Sequence, residues 1–314
     1  VHSAWHKAVK VLPEYSIVHK QDFFIEEKYR PETDRDDLSF LSRSFERHFN
    51  ERPFLNHFCY LFLTKTTKAR SRQESTFSTL CKGRLVPKEI EDRETVTRFL
   101  EAVGQFEKIM NDSGFVTLRR LTTDEITGTE RSAGIVEKYL SLSQHDTTVL
   151  KDIQLNPEEM RIGDDILCLH TLSDTEDLPG KVATDSRYER LSTDRSDCRL
   201  SFAAPVGLLL DCNHCYNQYI FIDDHGENLK RFEQTARNMH SLSRYSRSNQ
   251  INKAWIEEYL NEAHSKGLTS VRCHCNVMAW SDDREELRRI KNEVGSQLAL
   301  MECKPRHNTV DVPT

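Results

Sequence analysis

The sequence predicts an α+β fold, with helices packed on mixed or antiparallel sheets in two lobes. Three observations carry this reading. Helix-then-strand units recur in both halves of the 314-residue chain, which places helices against sheets rather than only against one another. Asp92 opens a stretch in which Val96, Phe99, Leu100, Val103, Phe106, Ile109 and Met110 form one broad apolar stripe at helical spacing. Phe58-Cys59-Tyr60-Leu61-Phe62-Leu63 is apolar at consecutive positions, the pattern of a central strand buried on both faces.

The chain starts with a helix carrying Trp5, Val9 and Leu12 and ended by Pro13; a strand over residues 15–26 follows. Residues 31–37 read as a turn with Asp36 or Asp37 as N-cap, and Leu38, Leu41, Phe45 and Phe49 then share one helical face. After Pro53 come a strand over 54–64, a polar basic loop over 65–84, and the Asp92 helix with Gly114 as its stop. A strand over 115–121 precedes a mostly helical stretch, 122–143, broken near Gly128.

In the second half, strands are predicted over 165–172, 200–210, 216–222, 269–280 and 298–303, and an exposed charged arm over 173–197. Helices are predicted over 228–243, 252–265 and 282–294. Leu229, Phe232, Ala236 and Met239 face inward on the first; Trp255, Tyr259 and Ala263 share a face on the second; Asp282 and Glu285 have capping-box spacing on the third. The expected lobes are residues 1–150 and 151–314.

Composition narrows the function classes. Hydrophobic residues make up 37% and charged residues 30%, a lean core that two modest lobes accommodate better than one sphere. A net charge of −6 argues against a dedicated nucleic-acid binder, whose affinity comes from neutralising phosphates. Nine cysteines, an odd number without framework spacing, point to free thiols in a reducing, cytoplasmic compartment. No apolar run approaches the ~18 residues of a spanning helix, and no signal-peptide pattern is present. The helical pattern that begins at Val1 and the strand-like close at Thr314 raise the expectation of an excerpt from a longer chain.

Some segments imitate nucleotide-binding or metal-binding patterns. A phosphate loop needs G-x-x-x-x-G-K-[ST], so that backbone N–H groups cradle the phosphates. Gly180 alone precedes a lysine; Val182 stands where Ser or Thr is needed and Thr175 where the first glycine belongs, so the motif is absent. Tyr219-Ile220-Phe221-Ile222-Asp223-Asp224 imitates a magnesium-holding strand end, but paired acids opening a helix are ordinary caps. Cys212, His214 and Cys215, and Cys273, His274 and Cys275, place soft ligands close together. On a strand, however, Val271, Cys273, Cys275 and Val277 fall on one face, as core residues do. The expectation is therefore no metal, cofactor-binding or catalytic residue in this chain. A small zinc or enzymatic domain built on Cys212, His214, Cys273, Cys275, Asp223 and Asp224 is the alternative.

Two mixed patches complete the inventory. Arg187-Tyr188-Glu189-Arg190 and Asp194-Arg195-Ser196-Asp197-Cys198-Arg199 alternate in sign, so the acids cancel the field a phosphate would need. Arg244, Arg247 and Lys253 near Tyr245 and Trp255 are the residues a single-stranded nucleic-acid module would use. Cations at a helix end are the simpler account of them.

Five segments carry a resemblance. They are His2-Ser3-Ala4-Trp5-His6-Lys7-Ala8, Ser42-Arg43-Ser44-Phe45-Glu46-Arg47-His48-Phe49, Tyr60-Leu61-Phe62-Leu63-Thr64-Lys65-Thr66, Arg187 through Arg195, and His240 through Arg247. Together they resemble the N-terminal part of the TraG conjugation ATPases of Bacteroides-type conjugative transposons, the cytoplasmic ATPases of a type IV secretion apparatus. The resemblance runs along essentially the whole chain. It implies an α+β region followed by a RecA-like ATPase domain, with ATP and magnesium bound only in that later domain. It also implies self-association and docking to other subunits at the inner membrane; direct nucleic-acid contact is not expected, given the net charge of −6. No catalytic residue of the family has a counterpart here.

Overall fold

The computed structural model describes residues 1–29, 39–68, 90–145, 151–156, 159–172, 175–180, 182–242, 246–268 and 270–308. The expected turn at 31–37 with its Asp36 or Asp37 cap, and most of the expected loop at 65–84, lie outside these residues. Among the described residues the helices are α1 (His2–Lys10), α2 (Phe40–Asn50), α3 (Arg93–Asp112), α4 (Thr123–Thr127), α5 (Ile135–Ser141), α6 (Ala204–Leu208), α7 (His225–Leu242), α8 (Arg247–Lys266) and α9 (Arg284–Leu300). The strands are β1 (Ser16–Lys28), β2 (Pro53–Lys65), β3 (Ile153–Leu155), β4 (Met160–Ile162), β5 (Asp165–Leu172), β6 (Asp185–Arg187), β7 (Arg199–Ser201), β8 (His214–Ile222), β9 (Val271–Ser281) and β10 (Arg306–Asn308). The fold is α+β.

The main sheet has the order β2-β1-β8-β9-β5-β4-β3, with β10 pairing β5; β6 and β7 form a separate ribbon. The β3–β4, β4–β5, β5–β9 and β5–β10 pairs are antiparallel. β1 runs against β8, since Tyr15 N–H donates to Ile222 O and Glu26 N–H to Asn213 Oδ1, each at 2.7 Å. A row of amides fixes the register of the middle strands: Gln21 Nε2 donates to Asn217 Oδ1 and Asn217 Nδ2 to Asn276 Oδ1, each at 3.0 Å.

The chain divides into two compact units, each drawn from three stretches: residues 1–19, 62–119 and 219–273, and residues 20–61, 120–218 and 274–314. In the first unit α1 packs on α3 through the edge of Trp5 on Phe106, with centroids 5.8 Å apart, over buried Ala8, Ala102 and Met110. α7 and α8 pair through Phe232 and Tyr259, with Ala236 and Ala263 buried. In the second unit, period-two alternation sends residues to opposite sides of the sheet. Cys168, Leu172, Tyr216, Val277 and Ala279 meet Ile290, Val294 and Leu298 of α9 and Val206 of α6. Phe23, Ile25, Leu167, Cys215, Met278 and Trp280 meet Leu142 and Tyr139. Each fully buried aliphatic of α9 is worth about 1.5–3 kcal/mol, so this row holds the helix on the sheet.

The structure departs from the sequence expectations at definite places. β2, read as central, stands last in the sheet among the described residues, and none of its residues is buried. Residues 115–121 are not a strand: Asn111 takes the backbone of Leu118 on its side chain, and Gly114 (φ +71°) turns the chain. The expected strand over 200–210 is β7 followed by α6, whose first turn accepts Pro205. The expected strand over 298–303 is the end of α9, because Leu298 continues the i, i+4 row of Ile290 and Val294. Its cap is Asp283, accepting from Glu285 N–H, one residue later than expected. Ser39 caps α2, and of the residues expected to share a face on α8, Trp255 is exposed and Ala263 buried.

One contact is set by glycine. A Cβ on Gly134 would lie 2.4 Å from Gly128 N and 2.6 Å from Ile126 O, so the two segments touch backbone to backbone. Gly128 itself has φ +80°.

Phe106→Ala should destabilise the chain by about 3–5 kcal/mol, read as a lower urea midpoint with an unchanged slope.

Candidate functional site

Asp22 lies in the middle of β1 and is 3% exposed. Alternation sets Lys20, Asp22 and Phe24 on one face, and β2 adds His57 and Cys59 there. His57 Nε2 lies 2.9 Å from Asp22 Oδ1, Lys20 Nζ donates to Oδ2, and the Cys59 thiol also bonds the carboxylate. An ionised carboxylate only accepts, so Nε2 donates to it. The His57 ring stacks on Phe24 (4.5 Å, 8°), and Phe24 stacks on His214 (4.5 Å, 12°).

Burial alone would raise the Asp22 pKa. The hydrogen bond from His57 and the charge and hydrogen bond of Lys20, with Cys59, outweigh it and hold the carboxyl below its ordinary value. A carboxylate holding an imidazole in one tautomer is an arrangement that orients a base. The neighbouring sulfur does not supply a nucleophile: burial and the Asp22 charge push the Cys59 thiol to about 11, so it stays protonated at neutral pH. The cluster fixes the His57 ring beside a buried charge.

The residues singled out by sequence settle differently. Asp224 is a helix cap, accepting from Glu227 N–H at 2.9 Å. Asp223 instead takes a two-pronged bond from Arg272, at 2.6 and 3.1 Å, while that guanidinium lies 5.1 Å from the Phe221 ring centre. Cys212 is buried in the core beneath α9, with burial pushing its thiol to about 12. His214 is fully buried, donates through Nδ1 to Cys212 O at 2.8 Å, and is held neutral by burial. Cys275 packs against the same core and bonds Tyr216. Cys273, expected in the core, is exposed, because β9 passes from solvent at Val271 into the core at Val277. Among the described residues, no three His, Cys, Asp or Glu side chains are placed to hold a metal ion.

The mixed patches are surface. Arg187 pairs with Glu189 and Asp197, and Arg199 with Asp185 and Asp197, along the β6–β7 ribbon. Lys253 pairs with Glu257 on α8; Arg244 and Tyr245 lie outside the described residues. Sequence reading passed over Asp22 and His57. The available signal was an acid inside the apolar run of β1, which must find partners on folding.

No helix among the described residues is long and apolar enough to cross a membrane. No protein-family model matches the chain, and no curated protein matches it.

Asp22→Asn should lower stability at pH 7 by about 1–3 kcal/mol. Because Asp22 titrates below its unfolded value, its contribution is whole above pH ~4 and is lost as pH falls through the lowered folded-state pKa. Urea titrations of both proteins should therefore converge in acid. Metal analysis of the purified chain should return no stoichiometric zinc; one zinc per chain, lost together with the fold under a chelator, would contradict the core reading of the cysteines.

Proposed function

We propose that this chain is a non-catalytic assembly region of a TraG-type conjugation ATPase of the type IV secretion class. It contacts further copies of the ATPase and other transfer subunits at the cytoplasmic side of the inner membrane. Two things support the reading: the five sequence segments that resemble that family, and a surface suited to protein contacts. The observation that carries most weight is α2. Phe40, Leu41 and Phe45 are 82%, 77% and 60% exposed, Phe49 is 44% exposed, and the helix buries none of its residues. An apolar helix face left in solvent marks a binding surface.

ATP and magnesium belong, on this reading, to a separate domain of the parent, and the chain acts by binding. Transfer from a donor carrying a Bacteroides-type conjugative transposon tests it. The chain, expressed in excess, should compete for assembly contacts and lower transfer frequency by about tenfold. Unchanged transfer with the chain abundant and folded would defeat the proposal.

A further inference from the structure

β2 is at odds with its position. Its middle is apolar on both faces, yet it is last in the described order of the sheet and buries no residue, a long apolar edge of the kind that pairs with another chain. Strands that remain edges are guarded by lysine, proline, bulges or inward charges. Between Phe54 and Thr64 there is no Lys, Arg, Asp, Glu or Pro; Pro53 and Lys65 guard the ends alone. Local rules broken in this way mark places where function overrides them.

We propose that β2 is a pairing edge for β2 of a second copy of this chain, antiparallel and centred on Tyr60. The proposal rests on the assembly reading above and names its partner. The choice of a second copy follows from charge and register. The strand has no Lys, Arg, Asp or Glu from Phe54 to Thr64, so two copies bring no like-charged acids or bases against each other. Centring on Tyr60 sets Phe58 opposite Phe62 of the second copy, Tyr60 opposite its Tyr60, and Cys59 opposite its Leu61. Period two then keeps the three aromatic residues on one face and Cys59, Leu61 and Leu63 on the other. A slip of one residue would set aromatic against aliphatic positions throughout. The contact is self-complementary and closes on a two-fold axis, so it stops at two copies rather than growing into a fibre. Phe54 is 46% exposed at the start of the same strand and extends the apolar surface.

Sedimentation velocity of the whole chain at tens of micromolar should show a dimer. Leu61→Lys should weaken it by at least about tenfold in Kd while leaving far-UV circular dichroism unchanged. Leu61→Cys, oxidised mildly, should trap a covalent dimer through Cys59 of the other copy, and Thr64→Cys, which faces Asn56 in this register, should not. A folded monomer overturns the proposal, and so does a dimer that neither Leu61→Lys weakens nor Leu61→Cys traps. The transfer assay separates the two readings. A monomeric chain that still blocks transfer leaves the assembly reading standing and removes β2 pairing; a dimer that pairs through β2 without blocking transfer does the reverse.

Discussion

The register of β8 between β1 and β9 is the constraint on which the second unit rests. Tyr216 belongs to the core beneath α9, and its neighbour Cys215 to the core on the opposite side. A one-residue slip would exchange them, and with them every residue that alternates along the strand. The amide row from Gln21 through Asn217 to Asn276 opposes such a slip, because moving β8 breaks both bonds and moving β1 or β9 breaks one. Packing here therefore follows from a polar lock as much as from apolar area.

The same geometry governs the chemistry of the sulfur atoms and acids. Burial pushes the thiols of Cys168 to about 11 and Cys212 to about 12, so the interior cysteines behave as small apolar residues. The acids on the sheet are satisfied individually. Asp22 holds His57 and Lys20; Asp223 grips Arg272 with both oxygens. Each charge is neutralised by a cation within hydrogen-bond reach, which is what allows it to sit so deep.

Much of the architecture was legible because it depends on local periodicity. Asp92 and Gly267 mark helix ends by their own chemistry, and α3, α7 and α8 follow from spacing. The misread segments turn on contacts a few residues away. Leu298 reads as strand until the i, i+4 row of Ile290 and Val294 is followed into it, and in residues 115–121 the Asn111 side chain holds the Leu118 backbone. β2 illustrates the limit in the other direction. Its apolar run reads as a central strand, yet the sheet sets it last among the described strands. The Asp22 cluster was illegible because its members, Lys20 and Asp22 on one strand and His57 and Cys59 on another, meet only through strand pairing.

The contact between Gly128 and Gly134 has a consequence for how this region can vary. Where two main chains approach this closely, the smallest side chain is already too large, and no repacking of neighbours makes room. The turn between α4 and α5 is thus closed by a direct main-chain contact at its two ends. Exposed Glu130 and Arg131 can change surface character, whereas buried Ala133, the Thr129 hydroxyl that accepts from Arg131 and Ser132 N–H, and the two glycines are constrained.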